Sequence, residues 1–144
     1  MVRACLLLLY DVLLISLAVE DFKYRKIRNY YVKMILLLSA VSVFIIPEIS
    51  IMSRVSGMIA VSLPMVILNI IRPGSFGGGD VKLTFASGAF LGAKILIMGT
   101  LGAILLAGGY SLYLICTKKE QEKLQFPLGP FLSIGYIICL FLIL

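Results

Sequence analysis

The chain has 144 residues, of which 61% are hydrophobic and only 14% are charged, and it contains neither Trp nor His. This composition excludes an ordinary soluble domain and indicates a polytopic membrane protein. The three cysteines lie within apolar segments at spacings unlike those of metal sites or disulfide frameworks, so we expect no metal and no cofactor.

Six apolar segments follow one another along the chain, and each is a candidate transmembrane helix. They cover about residues 2–20, 30–46, 50–71, 81–92, 95–116 and 127–144. The fourth segment is short, because 12 residues of helix reach about 18 Å and a hydrocarbon core is about 30 Å thick. One helix over 81–116 would be far too long, so we expect a break near Gly92-Ala93-Lys94. The predicted fold class is all-α, with six transmembrane helices in a single domain over residues 1–144.

The distribution of the positive charge predicts the orientation of these helices. Ten of the 13 Lys and Arg residues lie at or near the loops 21–29, 72–80 and 117–126, whereas Arg3 and Arg54 lie with Lys94 at the opposite helix ends. The positive-inside rule then places the three loops in the cytoplasm and both termini outside. The net charge of +6 is thus explained by topology and contact with anionic lipid, so we expect a lipid bilayer and no nucleic acid as a partner.

Two acids come to the same level of the membrane in this topology. Asp21 lies at the end of the first predicted helix, and Asp80 lies at the start of the fourth, directly after Gly77, Gly78 and Gly79. Taken singly, each acid is also explained as an ion-paired or capping residue at a helix end. Two carboxylates that share a proton can, however, activate water against a peptide bond, one accepting the water's proton and the other donating to the carbonyl oxygen. The pair predicts aspartic-type hydrolysis, and a chain without His offers no Ser-His-Asp triad.

Three segments carry a resemblance to a known family. "DFKYRKIRN" at 21–29 and "GGGDVKL" at 77–83 resemble the two signature segments of the type IV prepilin peptidases, membrane aspartic proteases of the GxGD group. "FPLGPFLSIG" at 126–135 resembles the family's last loop and helix. The family pattern usually has Pro where this chain has Arg28, which affects the expected shape of the first loop.

This resemblance implies a function and a set of site residues. The implied catalytic residues are Asp21 and Asp80, and the implied site-shaping residues are Gly77, Gly78, Gly79 and Lys82. Lys82 is either a topogenic cation or a cation that tunes the proton affinity of the two acids. The implied activity is removal of the basic leader of prepilin-like proteins at the cytoplasmic face of the cell membrane. Larger members add a cytoplasmic region with Cys-x-x-Cys motifs and methyltransferase activity, so this chain is expected to be a short form with the peptidase domain only.

Two other interpretations stay open. Tyr10-Asp11 together with the GxGD segment is the pattern of the presenilin and signal peptide peptidase branch, in which Asp11 would replace Asp21. Ten residues of helix separate these two acids by about 15 Å, so Asp11 and Asp80 are poorly matched in depth; a hydrogen bond to Ser62 or Asn69 is another role for Asp11. A non-catalytic membrane subunit or small transporter, whose buried acids bind a cation or relay protons, is the third interpretation, and half-broken helices near Gly92 and Pro64 would suit it.

Overall fold

The computed structural model describes residues 1–117 and 128–143, and every regular element in these ranges is an α-helix. The helices are α1 (Val2–Tyr24), α2 (Asn29–Ile45), α3 (Ile51–Ala60), α4 (Ser62–Ile71), α5 (Gly78–Cys116) and α6 (Gly129–Ile143). The predicted all-α class is confirmed. Three stretches, α1, Ile51–Ile71 and α5, are long and apolar enough to cross a membrane, and α2 and α6 are shorter apolar helices. Most of the predicted third basic loop, residues 118–126, lies outside the described residues.

The stretch predicted as one helix over 50–71 is interrupted at Val61, where α3 ends and α4 begins. Pro64 explains the interruption, because it has no N–H to donate to the carbonyl of Ala60 and its ring crowds that carbonyl. Helical bonding resumes one residue later, where the N–H of Met65 donates to the carbonyl of Val61 at 3.2 Å. The two helices therefore form one interrupted apolar stretch.

Helix α5 is broken at Gly92, as the sequence predicts. Gly92 has φ 75° and ψ 170°, a conformation that side-chain-bearing residues rarely adopt. The break divides α5 into a short arm, residues 78–91, and a long arm, residues 93–116.

The long arm runs back toward the level at which the short arm begins. Tyr110 near its end lies 5.8 Å from Phe131 of α6, measured between ring centroids. Phe131 is two residues from Gly129, whose backbone lies against the carboxylate of Asp21. The short arm begins at this same end of the bundle with Asp80, so the two arms are antiparallel.

Small residues allow the helix backbones to approach closely. Gly57 of α3 packs between Gly88 and Gly92, and a Cβ on Gly57 would lie 2.8 Å from the carbonyl oxygen of Gly88. Gly99 of the long arm makes a similar contact with Gly135 of α6. Such contacts are the usual means of helix association in lipid, where apolar side chains gain little by leaving the hydrocarbon.

The end of the bundle opposite Asp21 carries the cations that the sequence set apart. Arg3 forms an ion pair with Glu48 at 2.7 Å, on the partly exposed surface. Arg54, which the sequence also places at this end, lies within α3 and is only 4% exposed. Its guanidinium lies among helix ends instead of at the surface.

Candidate active site

A cavity of about 950 Å³ opens at one end of the bundle, between the α1–α2 loop, the α4–α5 loop and the start of α6. Both predicted acids face this space. The other lining residues are Arg25, Lys26, Ile27, Arg28, Asn29, Gly74, Ser75, Phe76, Gly77, Gly78, Gly79, Lys82 and Leu128. The structure therefore brings all six predicted site residues to one cavity, although Asp21 and Asp80 are 59 positions apart in the chain.

Asp21 lies in the last turn of α1 and is 5% exposed. The helix ends at Arg25, which has φ 52° and donates its N–H to the carbonyl of Asp21 at 2.7 Å. The backbone of Gly129 lies directly against the carboxylate, so that a Cβ there would be 3.0 Å from Cγ of Asp21. Oδ2 of Asp21 is buried and makes no hydrogen bond of regular geometry among the described residues, although the backbone N–H of Gly129 lies close enough to interact with the carboxyl group. A buried carboxylate oxygen in this state is suited to accept a hydrogen bond from water.

Asp80 lies in the first turn of α5 and is 7% exposed. Its carboxylate folds back over Gly77, the N-cap of the helix, where a Cβ would lie 2.9 Å from Oδ2. The free N–H groups and the dipole of a helix start stabilise negative charge at this position. Asp80 is also close enough to Asp21 for the two carboxyl groups to interact electrostatically.

The three glycines before Asp80 differ in their surroundings. A Cβ on Gly79 would lie 2.7 Å from Cβ of Ile27, so the α1–α2 loop packs directly on this glycine. A Cβ on Gly78 would meet nothing within 4 Å. Close approach thus favours glycine most strongly at position 79, whereas at position 77 the end of the Asp80 side chain can move aside and at position 78 there is space for a side chain.

The loop that precedes α5 is held by a residue that sequence reasoning assigned elsewhere. Asn69 of α4 donates from Nδ2 to the carbonyl of Phe76 at 3.1 Å and accepts from its N–H at 2.8 Å. Asn69 is therefore not a partner of Asp11, and neither is Ser62, whose hydroxyl donates to the carbonyl of Met58. An Asn inside an apolar helix was the available signal for this role.

Lys82 contacts the α1–α2 region. Its ammonium donates to Oδ1 of Asn29, the first residue of α2, at 3.0 Å. Beside it, Arg28 forms an ion pair with Glu20 at 2.7 Å. These contacts connect the first turn of α5 to the loop that carries the sequence's departure from the family pattern.

The sequence matches the pattern of the type IV leader peptidase family over residues 8–112, which include Asp21 and Asp80. The chain belongs to this family. A curated relative, the prepilin leader peptidase/N-methyltransferase of Bacillus subtilis (strain 168), is 29% identical over 126 residues. The matched region is 88% of this chain and 51% of the relative, so the chain spans about half the length of that protein. No solved structure matches the chain.

In this type IV leader peptidase family member, Asp11 lies away from the cavity. Tyr10 stacks on Phe90 with ring centroids 4.2 Å apart, and Phe90 is ten residues beyond Asp80. This contact fixes the register of α1 against the short arm, so Asp11 lies about 15 Å along the bundle from Asp80. Asp11 does not line the cavity, and its Oδ1 is buried with no hydrogen-bond partner among the described residues. The geometry favours pairing Asp80 with Asp21.

The chemistry available in the cavity is that of two carboxyl groups. Within residues 1–117 and 128–143, no group of three or more His, Cys, Asp or Glu side chains is arranged to hold a metal ion. Two carboxyl groups that share one proton offer a base and an acid at the same time. A water molecule and a peptide carbonyl in the cavity would therefore lie between a carboxylate that accepts a proton and a carboxyl group that donates one.

Proposed function

We propose that this type IV leader peptidase family member is an aspartic endopeptidase that removes the basic leader of prepilin-like proteins. The observation that carries the proposal is the meeting of Asp21 and Asp80 in one cavity, from helices far apart in the sequence. The family match and the named activity of the Bacillus subtilis relative support the choice of substrate. Residues 1–144 are proposed to act as a single peptidase domain.

The proposed reaction needs only water and the two acids. The ionised carboxylate accepts a proton from water as the water oxygen attacks the peptide carbon, and the protonated carboxyl donates its proton to the carbonyl oxygen. The resulting gem-diol collapses as its C–N bond breaks: the departing amine receives the proton taken from water, and the second carboxylate takes back a proton from one hydroxyl as the new C=O bond forms. One new carboxyl group and one amine result.

The proposed orientation has six membrane spans, with both termini outside and the cavity at the cytoplasmic face of the cell membrane. It is supported by the basic residues around the cavity, because Arg25, Lys26 and Arg28 line it and such charge favours the cytoplasmic side. These cations would repel a basic leader, so their role is to hold lipid headgroups and order the loop. The apolar segment that follows the leader would remain in the bilayer beside the enzyme.

Co-expression with candidate prepilins tests this proposal. Processing would appear as a mobility shift of the prepilin, and sequencing of the new N-terminus would locate the cut. Membrane-inserted protein that cuts none of the prepilins encoded in its own genome would contradict the proposal. A non-catalytic subunit would instead keep its assembly role after both Asp21→Asn and Asp80→Asn.

A further inference from the structure

The most densely bonded side chain in the described part of the protein lies at the opposite end from the candidate active site. Arg54 donates to backbone carbonyl oxygens at three places where helices or loops end. Before α3, it donates to the carbonyl of Ile49 at 3.3 Å. At the end of α2, it donates to the carbonyls of Ser42 and Ile46 at 3.1 and 3.2 Å and to the hydroxyl of Ser42 at 2.6 Å. At the end of the short arm, it donates to the carbonyls of Ala89 and Phe90 at 2.9 and 3.1 Å. No carboxylate of the described residues pairs with it.

These carbonyls lie where helices stop, so a side-chain donor can complete their hydrogen bonding; those of Ser42 and Ile46 also accept the backbone N–H groups of Ile46 and Ile49. The break at Gly92 ends the short arm, and the N–H of Ala93, which would bond the carbonyl of Ala89 in a continuous helix, donates to Ser53 instead. Helix α2 ends at Ile45, so the carbonyl of Ile46 also lies beyond its last turn. In a bilayer no water is available to satisfy such groups, and the negative ends of two helix dipoles favour a cation.

The guanidinium therefore joins the end of α2 to the end of the short arm. The same two helices are also joined at their beginnings, where Lys82 donates to Asn29 at 3.0 Å. The arm is thus attached to α2 at both ends, and Asp80 lies two residues from the nearer attachment. Two attachments fix the position of a rigid helix along its axis more firmly than one attachment does.

We propose that Arg54 is a positioning residue for the reaction: it anchors the carbonyl end of the short arm and thereby sets the height of Asp80 relative to Asp21. The expected effect of Arg54 on the cleavage rate rests on the proposed function, whereas its effect on the position of Asp80 relative to Asp21 does not. Arg54 makes no hydrogen bond to either acid, so it acts through the helices that it joins.

The kinetic test compares Arg54→Gln and Arg54→Lys with Arg3→Gln, a matched loss of an arginine at the same end of the bundle that pairs with exposed Glu48. Arg54→Gln is expected to lower kcat on the order of 100-fold per inserted molecule with KM unchanged, since a misplacement of about 1 Å has this effect on catalysis. Arg54→Lys keeps the charge but loses the planar set of donors, so its kcat should lie between the two. Arg3→Gln should leave both constants unchanged.

A second readout needs no activity. In a chain with Cys5, Cys116 and Cys139 replaced by Ser, Asp21→Cys and Asp80→Cys are joined by thiol reagents of graded length. With Arg54 present, one narrow range of lengths should react fastest, and with Arg54→Gln or Arg54→Lys that range should shift or broaden.

Unchanged kcat and an unchanged cross-linking range in Arg54→Gln would overturn the proposal. So would an effect confined to the amount of inserted protein. If Arg54→Gln fails to accumulate, Arg54→Lys decides by the same two measurements. If the unmodified protein cuts no prepilin, the proposed function fails and the cross-linking range still decides the role of Arg54.

Discussion

The three consecutive glycines before Asp80 allow a graded test of how closely the site is packed. We predict that Ala at positions 77, 78 and 79 has three different effects, because the added Cβ meets different surroundings. At Gly77 it would lie 2.9 Å from Oδ2 of Asp80, at Gly79 it would lie 2.7 Å from Cβ of Ile27, and at Gly78 it meets nothing within 4 Å. Gly78→Ala is thus a matched control one residue away from each.

Gly77→Ala should lower activity more than stability. Ordinary contact begins near 3.4 Å, so Oδ2 of Asp80 must retreat by about 0.5 Å. The end of a flexible side chain makes this move for about 0.5–1.5 kcal/mol. A reacting carboxylate displaced by half an ångström costs about tenfold in kcat, if a displacement of about 1 Å costs about 100-fold.

Gly79→Ala should lower both the activity and the stability of the protein. Cβ of Ile27 is attached directly to the backbone, so relief of the contact must shift the α1–α2 loop by about 0.7 Å. Overpacking of this kind costs about 1–3 kcal/mol. Gly78→Ala should be neutral or slightly stabilising, because Ala is the better helix former by up to about 1 kcal/mol.

The assay is thermal unfolding of each detergent-solubilised variant beside prepilin cleavage per mole of enzyme. Equal losses of activity at positions 77 and 78 would refute the reasoning, since the space around the two added methyl groups differs. So would a destabilised Gly77→Ala protein whose cleavage rate per folded molecule is unchanged.

Three further outcomes are expected. Asp11→Asn should keep substantial cleavage, because Asp11 lies outside the cavity; a dead Asp11→Asn beside an active Asp21→Asn would establish the presenilin-like pairing instead. Cleavage should survive EDTA, since two carboxyl groups can activate water unaided; loss of activity that one added metal restores would contradict this. Arg28→Pro should keep cleavage, because φ of −73° at Arg28 suits Pro, and should lower the free energy of unfolding by about 1 kcal/mol, because the lost ion pair is exposed on the Arg28 side but leaves Glu20, whose side chain is 15% exposed. Thermal unfolding and the cleavage assay together check this last variant, and a large loss in either would show that the loop needs Arg28.

Sequence reasoning found the features that depend on composition along one helix. Apolar runs gave the helices, and the excess length of 81–116 gave the break at Gly92. The depth of Asp21 and Asp80 followed from the distribution of charge, since residues at one set of helix ends meet at one end of a bundle. The apolar run over 50–71 predicted one helix, although Pro64 indicated a half-broken one, and the structure interrupts the stretch at Val61.

The contacts between elements could not be predicted in the same way. A count of cations assigns Arg54 to an end of the bundle but does not reveal that it is buried among carbonyls of separate helices. The pairing of Asn69 with Phe76 and the packing of Ile27 on Gly79 depend on how loops fold over the cavity. The pattern of apolar and polar residues along the chain carries no information about such contacts between separate elements.

The central claim is that Asp21 and Asp80 together carry out peptide hydrolysis. The most direct measurement is cleavage of a purified prepilin by Asp21→Asn and Asp80→Asn enzyme, with the inserted amount of each variant matched to the unmodified protein. Asn keeps the size of each side chain but cannot exchange a proton as a carboxyl group does. Each variant is predicted to lose processing while its membrane insertion and thermal unfolding stay unchanged, and substantial cleavage by either one would contradict the account.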